Sequence, residues 1–135
     1  SPTQTSYSTG LENVMSATAT LSESKIQSGA FAIPAGAVIT DVLAVFTTTL
    51  VGNNIKVKFG STAEASDLLG SNAPYDIGSQ HYDEGFSVIA FGQTGVKLVG
   101  SNAYFATNGN LHMTVFTDGG SLTAGAAKFF VKFIV

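Results

Sequence analysis

Apolar and polar residues alternate with a period of two along much of the chain, which is the pattern of half-buried β-strands. The segment "MSATATLSE" is the first example, with one face made by Met15, Ala17, Ala19 and Leu21. Its other face is made by Ser16, Thr18, Thr20 and Ser22. The spacing predicts a strand with one side turned to solvent.

The segment "AVITDVLAVFTTTL" is apolar on both faces and carries no charge except Asp41. Alternation places Val38, Thr40, Val42, Ala44 and Phe46 on one face. It places Ile39, Asp41, Leu43 and Val45 on the other. A strand with two apolar faces is predicted to lie centrally, covered on both sides. Pro34 and Gly36 form a turn before it, and "VGNN" then "IKVKF" predict a hairpin with a half-buried return strand.

Periodicity is lost between Gly60 and Gly85, where a short α-helix or 3₁₀ turn is expected around 63–69. Strand patterns return in "FSVIAF", "GVKLV", "AYFAT", "LHMTVFT" and "KFFVKFIV". The segment "DGGSLTAGAAK" is interpreted as a long hairpin loop, or else as an exposed tip that contacts a partner. The sequence therefore predicts an all-β domain over 11–135, a single antiparallel β-sandwich, jelly-roll-like, of about eight strands.

The first ten residues, "SPTQTSYSTG", have no periodic apolar signal and a single large side chain, Tyr7. They are interpreted as an extended polar arm over 1–10. Two interpretations are open: a frayed terminus, or an arm that becomes ordered on a neighbouring protein.

The segment "AAKFFVKFIV" places Phe129, Val131, Phe133 and Val135 on a core face. The opposite face carries Lys128, Phe130, Lys132 and Ile134. Either the lysine stems cover the apolar groups of this second face, or a neighbouring sheet or subunit covers it. Docking or oligomerisation through this face is a hypothesis.

Composition narrows the classes of function. Only 11% of the residues are charged, the net charge is -3, and all six basic residues are lysine. Without arginine for bidentate phosphate contacts, nucleic-acid binding is not expected. The absence of cysteine excludes a disulfide framework and a thiolate site. The most apolar run is interrupted by Lys128 and Lys132, so neither a transmembrane helix nor a membrane partner is predicted.

Candidate catalytic or metal-binding residues are few. His81 lies near Asp83 and Glu84, but this segment is interpreted as a solvated polar loop, with a metal site in 76–84 left open. His112 alternates with Leu111 and Met113 and is predicted to face the wet side of a strand. No triad, carboxylate pair or phosphate-binding loop is marked out by its neighbours, so we predict no enzymatic activity, cofactor or metal.

Two stretches resemble small virion proteins of tailed bacteriophages, the capsid decoration or cement proteins. They are "IPAGAVITDVLAVFTTTLVGNNIKVKFGSTAEASDLLGS" and "LHMTVFTDGGSLTAGAAKFFVKFIV". The resemblance implies an all-β protein on the outer capsid surface, often trimeric, that reinforces contacts between capsomers and binds the major capsid protein. It needs no cofactor. The residues expected to contact the capsid or another subunit are Ser1, Pro2, Thr3, Gln4, Thr5, Ser6, Tyr7, Lys128, Phe130 and Lys132.

The alternative is a glycan- or receptor-binding β-sandwich module of a phage fibre or cell surface. Sugars stack on aromatic rings, and the chain has no tryptophan. The candidate exposed rings are Tyr7, Tyr75, Tyr82 and Tyr104.

Overall fold

The computed structural model describes residues 12–67, 75–85, 87–89 and 104–135. These residues contain six β-strands and one short 3₁₀ helix, Ser79–His81. The strands are β1 (Asn13–Thr20), β2 (Lys25–Ile33), β3 (Val38–Gly60), β4 (Tyr75–Asp76), β5 (Ser87–Ile89) and β6 (Gly109–Ile134). The chain is all-β, as predicted.

The strand β6 is the common pairing partner of β1, β2 and β3. Along one edge it pairs with β3 from end to end, and along the other it pairs first with β2 and then with β1. The short strands β4 and β5 pair with the far edge of β3. Every pairing is antiparallel.

The sheet has two halves that share one core. The first half-sheet contains β1, β5, the 38–50 part of β3 and the 126–134 part of β6; the second contains β2, β4, the 52–60 part of β3 and the 109–117 part of β6. Buried side chains of both halves, among them Phe46, Phe129, Phe59 and Met113, belong to a single cluster. A straight strand of the length of β3 would extend roughly 75 Å. The long pair must therefore bend for its two halves to enclose one core.

The predicted hairpin between "AVITDVLAVFTTTL" and "IKVKF" is wrong. The 51–54 segment continues β3, and the two parts of β3 pair with β6, not with each other. The register between β3 and β6 shifts repeatedly here, between Phe46 and Ile55. These turn-forming residues thus make a bend inside a strand, because Val51, Gly52 and Asn53 are each opposed by a residue of β6.

The segment "DGGSLTAGAAK" is likewise not a loop, since it lies within β6. Asn53 fixes this part of the pair: its Oδ1 accepts hydrogen bonds from the N–H of Ser121 (2.9 Å) and from the Ser121 hydroxyl (3.1 Å). A Cβ on Gly52 would lie 1.8 Å from the Ser121 carbonyl oxygen, and one on Gly120 would lie 2.3 Å from the Asn53 carbonyl oxygen. Glycine is needed at both positions because the two backbones approach so closely.

A register shift between Ile39 and Asp41 corrects the predicted faces of β3. Ile39 points to the core together with Val42, Ala44 and Phe46, whereas Val38 is exposed. A bulge adds one residue to a strand, so it exchanges inward and outward positions on one side of itself. The predicted central position is confirmed, because β3 has partners along both edges. The predicted cover on both faces is not confirmed, since Leu43 and Val45 on the outer side are only half-buried.

β2 was not predicted, although it carries the core residues Ile26, Phe31 and Ile33. Its register with β6 shifts between Gln27 and Ala30. Gly29 there has a φ of +75°, and Ser28 Oγ accepts a hydrogen bond from the N–H of Met113 (2.9 Å). The bulge separates the inward residues by an odd interval, which hides the period of two.

Other predictions are corrected in part. The 63–67 part of the expected helix is turn and coil; Glu64 has a φ of +65° there, outside the helical range. In "AYFAT" the described residues form only an isolated bridge, between Tyr104 and Val38. The segment "GVKLV" and residues 68–69 lie outside the described residues, as does the arm over 1–10. Six described strands do not confirm the expected count of eight.

Candidate interaction surface

The outer side of the first half-sheet brings together the C-terminal residues that the sequence marked out. We call it the Phe130 face and define it by Val14, Val38, Asp41, Leu43, Val45, Lys128, Phe130, Lys132 and Ile134. Cross-strand register orders it in rows. Asp41 pairs with Lys132, Leu43 with Phe130, and Val45 with Lys128. On the other edge of β6, Val14 pairs with Lys132.

The predicted alternation of the last strand is confirmed for most of its positions. Phe129, Val131 and Phe133 are buried, while Lys128, Phe130 and Lys132 are half-buried on the outer side. Lys128 Nζ lies 5.1 Å from the centroid of the Phe130 ring, within the range of a cation–π contact. Val135 was predicted in the core, but it is 71% exposed. It follows the end of β6 and is not paired with any of the six described strands.

Exposed large apolar side chains are concentrated on and beside this face. Val14, Val38 and Ile134 are between 36% and 54% exposed. Tyr104, which bridges to Val38, is 51% exposed, and Val135 follows Ile134. Among the described residues, Val51 is the exposed large apolar side chain that lies elsewhere, at the bend. A concentration of this kind is a mark of an interaction site.

Asp41 is the carboxylate of the Phe130 face. Burial raises the pKa of Asp41 above its ordinary value, and the hydrogen bond from the N–H of Val42 and the charge of Lys132 offset only part of this shift. Glu12 accepts a hydrogen bond from the Thr40 hydroxyl nearby, and its charge also raises the pKa of Asp41. The face therefore holds an incompletely compensated carboxylate at one end. Lys128 lies at the other.

The outer side of the second half-sheet has a different balance of charge. We call it the Phe116 face and define it by Phe116, the lysines Lys25, Lys56 and Lys58, and the carboxylates Glu64, Asp76 and Asp118. Lys25 Nζ lies 2.8 Å from Glu64, and Lys56 Nζ lies 3.2 Å from Asp76 and 3.7 Å from Asp118. These ion pairs raise the pKa of both lysines. Lys58 Nζ lies 4.2 Å from the centroid of the Phe116 ring. This face neutralises much of its own charge, which the Phe130 face does not do.

The histidines do not form a reactive cluster in the described part of the chain. His112 is half-buried on the outer side of β6 between buried Leu111 and Met113, as predicted. His81 ends the 3₁₀ helix. Within residues 12–67, 75–85, 87–89 and 104–135, no three His, Asp or Glu side chains come together as a metal site. The same residues contain no helix long and apolar enough to cross a membrane.

The structure corrects one candidate ring for sugar binding. Tyr82 is only 9% exposed and belongs to the core cluster. Its carbonyl oxygen accepts a hydrogen bond from the N–H of Leu50 (2.8 Å), which holds this segment against β3. Tyr104 is exposed as predicted, while Tyr7 and the Tyr75 side chain lie outside the description. A shallow depression of about 420 Å³ is lined by Ala32, Ile33, Pro34, Asn108, Gly109 and Asn110, without an aromatic ring among them.

Sequence reasoning placed Lys128, Phe130 and Lys132 together, and it placed Asp41, Leu43 and Val45 on one face of their strand. It missed that these two sets lie side by side and that Val14 and Val38 join them. Only the β1–β6–β3 pairing brings these residues together. The arm residues Ser1, Pro2, Thr3, Gln4, Thr5, Ser6 and Tyr7 lie outside the described residues.

Comparisons with known proteins give no relatives: no family model, curated protein or solved structure matches this chain.

Proposed function

We propose that this chain is a structural virion protein that binds the outer surface of a bacteriophage capsid and stabilises contacts between capsomers, without catalysis. The observation that carries the proposal is the concentration of exposed apolar side chains on and beside the Phe130 face. In a protein with so few charges, such a surface suits burial in an assembly. The resemblance to capsid decoration proteins supplies the kind of assembly.

We further propose that the two half-sheets are the layers of a jelly-roll-like β-sandwich of about eight strands. The shared core supports this architecture, because both halves contribute side chains to one cluster. A sandwich of this kind displays its outer faces, its edges and an arm to partners.

The proposed partners are the major capsid protein of the same virus and further copies of this chain. A trimer is the oligomer that the resemblance favours. Nucleic acid and membranes are not proposed as partners, since the net charge is -3 and the chain has no arginine. The arm over 1–10 is the proposed contact with the shell, through Ser1–Tyr7. Each contact can be weak, because many copies act on one shell.

Co-sedimentation with the undecorated heads of the virus that encodes the chain tests this proposal. The full chain is compared with one that starts at Leu11 and with one in which residues 1–10 are replaced by a Gly/Ser segment of equal length. We expect saturable binding at a fixed ratio to the shell subunit, weakened equally in both variants. The equal-length control separates the chemistry of the arm from its bulk.

Failure of the full chain to pellet with intact heads would exclude capsid binding and favour the glycan-binding alternative. That alternative retains Tyr7, Tyr75 and Tyr104 as candidate rings, and Tyr104 is the exposed one in the described part of the chain. A glycan array with wild-type chain and Tyr104→Ala would then test it, with loss of signal in the variant as its support.

A further inference from the structure

The Phe130 face carries both signs of charge at separate positions, around an apolar centre. Lys128 contacts the Phe130 ring and forms no ion pair among the described residues. Asp41 lies one strand away, next to Lys132, and its carboxyl group is half-buried. The two charges are separated along the strands by about 13 Å, the rise of four residues, and across them by about 5 Å, so each lies about two residues from the Phe130 row.

A surface that carries both members of a charge pair can be complementary to a copy of itself. In an isologous contact each residue of one copy meets a different residue of the other, and the same contact occurs twice. Sheets that pack face to face lie about 10 Å apart with their strands rotated by about 30°. With Phe130 close to the two-fold axis, this rotation brings Lys128 of one copy towards Asp41 of the other.

In place of the trimer that the resemblance favours, we propose that the Phe130 face packs against the Phe130 face of a second copy of this chain, with Lys128 of each copy opposite Asp41 of the other. Phe130, Leu43 and Val45 fill the centre of this contact. Val14, Val38 and Ile134, the exposed side chains of the face, lie at its margin.

The charges of the two outer faces favour this partner. On the Phe116 face two of the three lysines, Lys25 and Lys56, already have carboxylate partners within 4 Å, so a second copy would add less there. On the Phe130 face Lys128 has no such partner among the described residues. A uniformly acidic partner would match Lys128 but would repel Asp41.

The contact is expected to be weak. Four strands about 5 Å apart, over some seven residues each, cover roughly 450 Å² per copy. A standard specific interface covers about 800 Å² per partner. We therefore expect a dimer that dissociates in the micromolar range and that salt weakens.

Sedimentation velocity of the full chain across the micromolar range tests the proposal without any virus. We expect a monomer–dimer equilibrium, and we expect Lys128→Glu to weaken it by about tenfold or more. The matched control is Lys58→Glu, which removes the equivalent lysine beside Phe116 and should leave the equilibrium unchanged. Phe130→Ser and Phe116→Ser form a second pair with the same expected contrast.

Exchanging the charges of Asp41 and Lys128 tests directly whether these two residues meet across the dimer. Asp41→Lys should dissociate the dimer, and an equimolar mixture of Asp41→Lys and Lys128→Glu chains should form a heterodimer, because each charge again meets its opposite. Circular dichroism establishes that each variant is folded. If Asp41→Lys does not fold, Asp41→Asn replaces it and should weaken the dimer without rescue on mixing.

A wild-type chain that remains monomeric, or that forms a trimer indifferent to Lys128→Glu, overturns the proposal. Equal effects of the Lys58 and Lys128 variants overturn it as well. The outcome is independent of capsid binding: a dimer that does not pellet with heads leaves this inference standing and removes the proposed function. A monomeric chain that does pellet with heads supports the proposed function and overturns the dimer.

Discussion

Residue scale: the turn between β1 and β2 holds Glu23 and Ser24 in a conformation that suits neither residue. Their φ values are +51° and +63°. Ser22 and Lys25 exchange both backbone hydrogen bonds, at 2.9 and 3.0 Å, which is the geometry of a two-residue hairpin turn with positive φ at both central positions. Asparagine and glycine are favoured at such positions because a Cβ is strained there.

We expect Ser24→Gly to stabilise the chain by about 0.5–1 kcal/mol, because glycine relieves the strain at this φ. Urea denaturation of the variant and the wild type measures the difference in the free energy of unfolding. Ser24→Ala is the control, since it removes the hydroxyl but keeps the Cβ. A gain of equal size in the alanine variant would attribute the effect to the hydroxyl group.

Asp41 gives the stability of the chain a pH dependence of predictable sign. Its folded-state pKa is raised by burial, so the folded state holds this proton more tightly than the unfolded state does. The ionised group therefore lowers stability at pH values above the raised pKa. This loss disappears as the pH falls through that pKa to below the ordinary value of 3.8. The other charges that face it are Lys132 on β6 and Glu12 before β1.

We expect Asp41→Asn to be more stable than the wild type at neutral pH, because the neutral amide lacks the burial penalty of a charge. The advantage should shrink as the pH falls towards 3.8. Urea denaturation over a pH series measures it, at protein concentrations low enough to keep both chains monomeric. A constant advantage at every pH would show that the effect is not due to the charge of Asp41.

At the scale of the elements, β3 and β6 each continue through residue types that usually form loops, at 51–54 and 118–128. The close approach of β3 and β6 at their bend depends on Gly52. Its position leaves no space for a side chain beside the Ser121 carbonyl group. Because Ser121 is also bound by Asn53, the neighbouring backbone cannot move aside without breaking those hydrogen bonds.

We expect Gly52→Ala to destabilise the chain by about 3 kcal/mol, at the upper end of overpacking penalties. Gly119→Ala is the comparison. It has open space for the new Cβ but a φ of +71°, so its penalty should be near 1 kcal/mol. Thermal denaturation ranks the two. Equal penalties would mean that the backbone at Gly52 relaxes more than its contacts suggest.

The sequence was sufficient for the all-β class and for the strands whose alternation is unbroken. It predicted β1 and the inward set Phe129, Val131 and Phe133, because residues on each face of an uninterrupted strand repeat at even intervals. It failed at β2 and at the start of β3, where bulges beside Ser28 and Thr40 change even intervals to odd ones. A bulge leaves no reliable mark in a single sequence.

The candidate surface was only half predictable for a related reason. Periodicity assigns side chains to faces, but it does not say which strands are neighbours. The residues around "VGNN" suit a turn between paired strands as well as a bend within one strand. Only the pairing of both parts of β3 with β6 distinguishes the bend from the turn. Asp41 and Lys132 are therefore neighbours in the structure, although they lie far apart in the sequence.

Whole-molecule scale: one core shared by both half-sheets implies one cooperative unit. Phe129, in the first half-sheet, and Val115, in the second, are both fully buried in the same cluster. A destabilising substitution in either half-sheet should therefore lower the stability of the whole chain.

We expect Phe129→Ala to lower the free energy of unfolding by about 3–5 kcal/mol, and Val115→Ala by somewhat less. In each variant, tyrosine fluorescence and far-ultraviolet circular dichroism should report a single coincident transition. Phe130→Ala, a change on the outer side of the same strand, is the control and should cost the monomer less than half as much. Two separated transitions in either core variant would show that the half-sheets unfold independently.

The central position of β6 also determines the order in which the chain can fold. β1, β2 and β3 all take their hydrogen-bonding partners from β6, and even the nearest β3–β6 pair, Gly60 and His112, is separated by a long stretch of chain. During synthesis β1, β2 and the β6-facing edge of β3 stay unpaired until β6 has left the ribosome, whereas β4 and β5 can pair with the other edge of β3 earlier. Distant pairings make folding slow, on the scale of milliseconds to seconds. The low charge that suits an assembled surface therefore also exposes the nascent chain to aggregation while it waits.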